Sequence, residues 1–88
     1  MWTLTLVTRA GCHLCEEAEQ LLSRMRAGRD FNLVVLDVDA DDDLRQRYTA
    51  HVPVLLIEDK LLSYWFVDPE KVASALESGP DGITVPPL

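Results

Sequence analysis

Cysteine is scarce in this chain, at two among 88 residues. Two thiols cannot form the multiple-disulfide framework that staples small secreted domains. Basic charge is scarce as well: Lys and Arg number 8 against 15 Asp and Glu, for a net charge of −7. That balance argues against nucleic acid and anionic membranes as partners, since both require basic patches. No apolar run approaches the ~20 residues of a membrane-spanning helix. The N-terminal apolar run ends at Val7, no basic segment precedes it, and Arg9-Ala10-Gly11-Cys12 follows at once. That is not the layout of a signal peptide. A cytoplasmic, monomeric protein is therefore expected. In that compartment thiols stay reduced, and a lone cysteine pair is more often catalytic or metal-binding than structural. Neither an internal repeat nor a linker is visible.

Apolar residues make up 48% of the chain, enough for a real core in one domain. That domain is expected over residues 1–78, with 79–88 as a C-terminal tail. Thr3 to Thr8 alternates threonine with aliphatics and reads as a strand. From Cys12 the period changes to that of a helix. Leu14, Ala18, Leu21, Leu22 and Met25 share one face, with acids in the early turns, Arg24 and Arg26 in the last, and Gly28 as a stop. Phe31 to Val38 is almost continuously apolar, which suits a strand covered on both faces. Two strands joined by one helix make a right-handed, parallel βαβ unit.

Asp39 to Asp43 is an acidic turn leading into a short helix with Leu44 and Tyr48 on one face. His51-Val52-Pro53 precedes a second buried-type strand, Val54 to Ile57, and Leu61 to Phe66 returns as its hairpin partner. Asp68-Pro69-Glu70 starts a last helix, with Asp68 as N-cap and Val72, Ala73 and Leu76 on its inner face. The order β-α-β-α-β-β-α predicts an α/β fold, one mixed four-stranded sheet flanked by helices.

Both cysteines fall at the junction of the first strand and first helix, as Gly11-Cys12-His13-Leu14-Cys15. The thiolate is the reactive form of cysteine. A helix N-terminus favours it, because the first N–H groups lack partners and the dipole is positive there. Cys12 receives that help directly, and the guanidinium of Arg9 would add to it. Cys15, one turn further on beside the apolar stripe, should be more buried and harder to ionise. Such asymmetry suits dithiol exchange, in which Cys12 attacks a disulfide and Cys15 resolves the mixed disulfide. Gly11 permits a tight turn and leaves room over Cys12. His13, as imidazolium, would tune the thiolate further; otherwise it is an exposed residue at the helix start.

Other readings stay open at this point. A zinc site needs four ligands, and only Cys12, Cys15, His13 and His51 are on offer, without a second paired spacing. Asp37, Asp39 and Asp41 begin like a calcium loop, but the sixth and twelfth positions hold Asp42 and Tyr48 instead of Gly and Glu. Tyr64, Trp65 and Phe66 form either a ligand platform or, as expected of alternating strand residues, part of the core. His51 is expected at the surface.

A strand, Gly11-Cys12-His13-Leu14-Cys15, a helix, and later His51-Val52-Pro53-Val54 together resemble the thioredoxin superfamily, and within it the small glutaredoxin-like proteins. The resemblance spans roughly Thr3 to Ser78. It implies sheet order 2-1-3-4, a thiol–disulfide oxidoreductase with catalytic Cys12 and Cys15, and a cis Val52–Pro53 bond facing the cysteine loop. It also implies a substrate-binding role for the Val52 backbone, with Gly11, Pro53 and Asp68 nearby. Arg9 matches the basic residue such proteins commonly carry ahead of the first cysteine. The substrate would be a protein disulfide or a small thiol compound. No metal and no tightly bound cofactor are expected, with glutathione as a candidate reductant. Two departures bear on glutathione: His13-Leu14 replaces the usual Pro-Tyr, and Trp65-Phe66-Val67 stands where a Gly pair is common. The alternatives are a non-enzymatic binding module on the same fold and an iron–sulfur or metal carrier using the same cysteines.

Overall fold

The structure is a computed structural model that describes residues 1–79. Its elements are β1 (Thr3–Thr8), α1 (His13–Arg26), β2 (Asn32–Asp37), a 3-10 turn (Val38–Ala40), α2 (Asp42–Tyr48), β3 (Val54–Ile57), β4 (Lys60–Tyr64) and α3 (Pro69–Ser78). The sheet order is β2-β1-β3-β4. Strands β1 and β2 are parallel, while β3 is antiparallel to both β1 and β4. The mixed four-stranded sheet is the one expected from the order of elements, and its strand order is the one the resemblance implied. The tail expected from residue 79 onward lies, beyond Gly79, outside the described residues.

Period-2 alternation divides the core between the two faces of the sheet. Leu4, Leu6, Leu55, Ile57 and Leu62 meet Ala18 and Leu22 of α1 and Val72 and Ala75 of α3. Val7, Val54 and Val38 form a smaller cluster on the opposite face, against Leu44 and Tyr48 of α2. Burying a Leu or Val side chain stabilises by about 1.5–3 kcal/mol. The central strands β1 and β3 therefore anchor the site that β1 carries at its end.

Strand β2 departs from expectation. It was expected to be covered on both faces, yet Val34, Val35 and Leu36 are about 40% exposed. It sits at the edge of the sheet with a neighbour on one side only. The helices centre on β1 and β3, so the ends of the run, Phe31 and Val38, are buried instead. Helix α3 turns Val72 and Ala75 inward, with Leu76 packed beside them and Ala73 half-buried. Strand β4 stops at Tyr64, two residues early, because Trp65 takes φ 69°, outside the β region. Trp65 and Phe66 consequently leave the sheet and are not core.

Candidate active site

The chain leaves β1 and turns at Gly11, whose φ of 77° lies in the left-handed region. A side chain there would meet nothing within 4 Å. Backbone conformation alone therefore calls for glycine. The N–H of Cys12 donates to Arg9 O at 3.2 Å and closes the turn. Cys12 then serves as the N-cap of α1, with extended backbone. Its Sγ accepts the N–H of Cys15 at 3.2 Å, the place a Ser or Asp oxygen takes in an ordinary cap. The sulfur thus occupies the position at the helix N-terminus where the first-turn N–H groups and the positive end of the dipole point.

Cys15 is only 2% exposed, while Cys12 is half-buried, and the two are not linked. Burial pushes the Cys15 thiol up to about 11, and its interaction with Cys12 adds to the rise. Arg9 pulls in the opposite direction through its backbone and its charge, without prevailing. The expected difference in burial between the thiols is present, with Cys15 the harder of the two to reach. Its packing differs in one respect: the buried stripe of α1 runs through Cys15, Ala18 and Leu22, and Leu14 lies off it, 37% exposed.

Arg9 is occupied by other partners. Its Nε and Nη2 bond the two Asp39 oxygens at 3.0 and 3.2 Å, Nη1 donates to Thr49 O at 3.1 Å, and Nη2 also bonds Thr49 Oγ1. These bonds hold the Asp39 carboxyl below the usual carboxylate range and raise the guanidinium further. The Arg9 side chain therefore staples the end of β1 to the 3-10 turn and the end of α2, and its guanidinium acts on Cys15 only as a charge. His13 is exposed and pairs with Glu17 at 3.0 Å, one turn along α1. Asp68 caps α3, accepting the Glu70 N–H at 2.9 Å. Asp37 and Asp41 act as caps in the same manner. Among the described residues no three His, Cys, Asp or Glu side chains converge as metal ligands would.

The segment Ala50 to Pro53, which the resemblance links to substrate binding, carries a cis Val52–Pro53 bond. The Trp65 N–H is shared between Pro53 O at 2.9 Å and His51 O at 3.2 Å. The indole N–H donates to Ala50 O at 3.0 Å. The Trp65 ring stacks on His51, with centroids 5.7 Å apart and planes 12° apart, and Tyr64 meets both rings edge-on. His51 is therefore a half-buried member of an aromatic cluster, and its Nδ1 is buried without a partner among the described residues. A bulky residue at positive φ costs about 1–3 kcal/mol, and the bonds and stacking around Trp65 hold it there.

A groove of about 430 Å³ separates α1 from this aromatic loop. Leu14, Leu21, Trp65 and Phe66 line it, with Glu17 near one end and Arg24 near the other. A smaller recess of about 260 Å³ runs beneath Gly11 to Cys15, bordered by Glu16, Glu19 and Asp37. The groove, Thr49 and Asp39 were not recognisable as site components in sequence. The one available signal was a Trp-Phe pair at the end of a short strand, where adjacent residues cannot both face the core.

Comparison with known proteins adds three findings. The family described as Glutaredoxin-like domain matches residues 3–77. The uncharacterized protein Rv0508 of Mycobacterium tuberculosis is 31% identical over 72 residues, 76% of this chain and 74% of its own. Two solved structures are also similar. Protein Ne2328 from Nitrosomonas europaea is 35% identical, with TM-score 0.74 over 83% of this chain and 88% of that one. Protein XcR50 from X. campestris is 32% identical, with TM-score 0.69 over 88% and 99%. A thioredoxin from Halobacterium salinarum, at 21% identity and TM-score 0.65, shares the fold.

Proposed function

This chain belongs to the glutaredoxin-like domain family, and from that premise we propose that it is a thiol–disulfide oxidoreductase acting through Cys12 and Cys15. The observation that carries the reading is the division between the two sulfurs. Cys12 caps α1 and accepts a backbone N–H, while Cys15 lies buried one turn behind it.

The reaction follows from that division. The Cys12 thiolate attacks one sulfur of a substrate disulfide. The Cys12–substrate bond forms, the substrate S–S bond breaks, and the leaving thiolate takes up a proton. Cys15 then loses its proton and attacks Cys12 Sγ, forming the Cys12–Cys15 disulfide and releasing the second substrate thiol. The substrate gains two electrons and the protein loses two. Once Cys12 is in a mixed disulfide it carries no charge, so both Cys12 contributions that raise the Cys15 thiol are removed. The resolving thiol is thus quiet at rest and easier to ionise when needed. Regeneration requires an external thiol, glutathione or a protein dithiol, and the reading suits a compartment that keeps thiols reduced, such as the cytoplasm.

The test is reduction of a model disulfide with dithiothreitol as electron donor. Cys12→Ser abolishes the catalysed rate. Cys15→Ser accumulates a mixed disulfide that mass spectrometry detects. Full activity in both variants refutes the proposal.

A further inference from the structure

The groove between α1 and the aromatic loop has no part in the exchange chemistry. Its apolar residues are unusually open: Leu14 is 37% exposed, Trp65 47% and Phe66 69%. All three line one hollow of about 430 Å³, which on α1 starts at Leu14, the residue that precedes Cys15. The loop that carries the aromatics is fixed to the Ala50 to Pro53 segment by three hydrogen bonds and a stacked ring, so the hollow is preformed. Three exposed apolar residues converging beside a nucleophile form a seat for an apolar group.

Charge specifies what accompanies that group. Glu17 lies at the cysteine end of the groove, leaning toward His13, and Glu16, Glu19 and Asp37 border the recess at Cys15. Arg9, three residues before Cys12, is taken up by Asp39. Arg24 is ten residues along α1 from Leu14, roughly 15 Å away at the helical rise. The whole chain carries −7. An anionic small disulfide meets repulsion at this site, and a cationic one is drawn in.

We propose that this groove seats a bulky apolar side chain of a basic, cystine-bearing polypeptide, whose disulfide then lies at Cys12. The proposal rests on the dithiol reading above and names its substrate class.

The test compares symmetrical disulfides of three peptides, Lys-Phe-Cys-Lys, Glu-Phe-Cys-Glu and Lys-Ser-Cys-Lys, against hydroxyethyl disulfide as an uncharged reference. The reduced full chain is mixed with each, and the second-order rate is followed by stopped flow at low salt. The basic apolar peptide reacts at least about tenfold faster than the acidic one, and 0.5 M salt collapses that gap. It also reacts about tenfold faster than the basic polar one, the scale expected for seating one bulky apolar side chain. Phe66→Ser brings the apolar-to-polar rate ratio close to one, and Glu16→Gln with Glu17→Gln narrows the charge preference. Equal rates for all three peptides, or a faster acidic peptide, overturn the proposal while leaving the exchange chemistry intact. Failure of every disulfide, the reference included, overturns the dithiol reading itself.

Discussion

The most exposed consequence of the site concerns the buried thiol. Cys15 is pushed up to about 11, with burial as the leading cause and the neighbouring Cys12 second. A thiol of that kind is ionised to roughly 0.03% at pH 7.5, against about 10% for an ordinary cysteine near 8.5. The charge state alone therefore slows alkylation about 300-fold, and burial slows it further. The assay is site-resolved labelling of the reduced protein with iodoacetamide, read by peptide mass spectrometry from pH 6 to 11. Initial labelling of Cys15 rises about tenfold per pH unit up to about pH 10 without a plateau. The variant Cys12→Ser separates the two causes: its Cys15 midpoint falls below 11, because the Cys12 contributions are gone, yet stays above 8.5, because burial remains. A plateau below about pH 9.5 in the wild type, or a midpoint at or below 8.5 in the variant, refutes the reasoning. The linked effect on stability has a definite sign. The folded state holds this proton more tightly than the unfolded chain, so stability is complete below about pH 8.5 and declines as pH rises through 11. The loss is on the order of 3 kcal/mol.

Two further outcomes follow from the loop and its staple. Asp39 is held below its ordinary value by Arg9, so its contribution is present above about pH 4 and vanishes as pH falls through the folded value. Asp39→Asn therefore lowers Tm at pH 7, and the gap to wild type narrows as pH falls below the ordinary carboxylate range, as a calorimetric pH series will show. Gly11→Ala introduces no clash but forces a side chain into the left-handed region, at about 1–2 kcal/mol. Chemical denaturation measures that loss, and a slower disulfide exchange accompanies it if the loop relaxes to a different turn.

Element order and the difference in burial between the two cysteines were legible in the residues, for local reasons, whereas the sheet order followed only from the family resemblance. Alternation in Thr3 to Thr8, helical spacing from Cys12 and the Asp68-Pro69 start are each statements about a few neighbouring residues, and local sterics and capping decide them. The spacing of two between Cys12 and Cys15 likewise sets their difference, because one helical turn carries a side chain from the cap to the buried face.

Burial depends on which elements end up opposite one another, and sequence pattern proved a weaker guide to it. Phe31 to Val38 has the composition of an interior strand, yet it lies at the sheet edge with β1 on one side alone. Leu14 fits the helical stripe by spacing, yet the packing of α1 against the sheet turned on Cys15, Ala18 and Leu22. Arg9 stands three residues before Cys12, but its charge went to Asp39 and Thr49, 30 and 40 residues away. Trp65 reads as the end of a strand, and its departure from the sheet depends on bonds to His51 and Pro53. Local physics in the sequence thus determined where the cysteine pair sits, one sulfur at the helix cap and the other one turn inside. The groove between α1 and the Trp65-Phe66 loop was decided by long-range contacts that exist only once the chain has closed on itself.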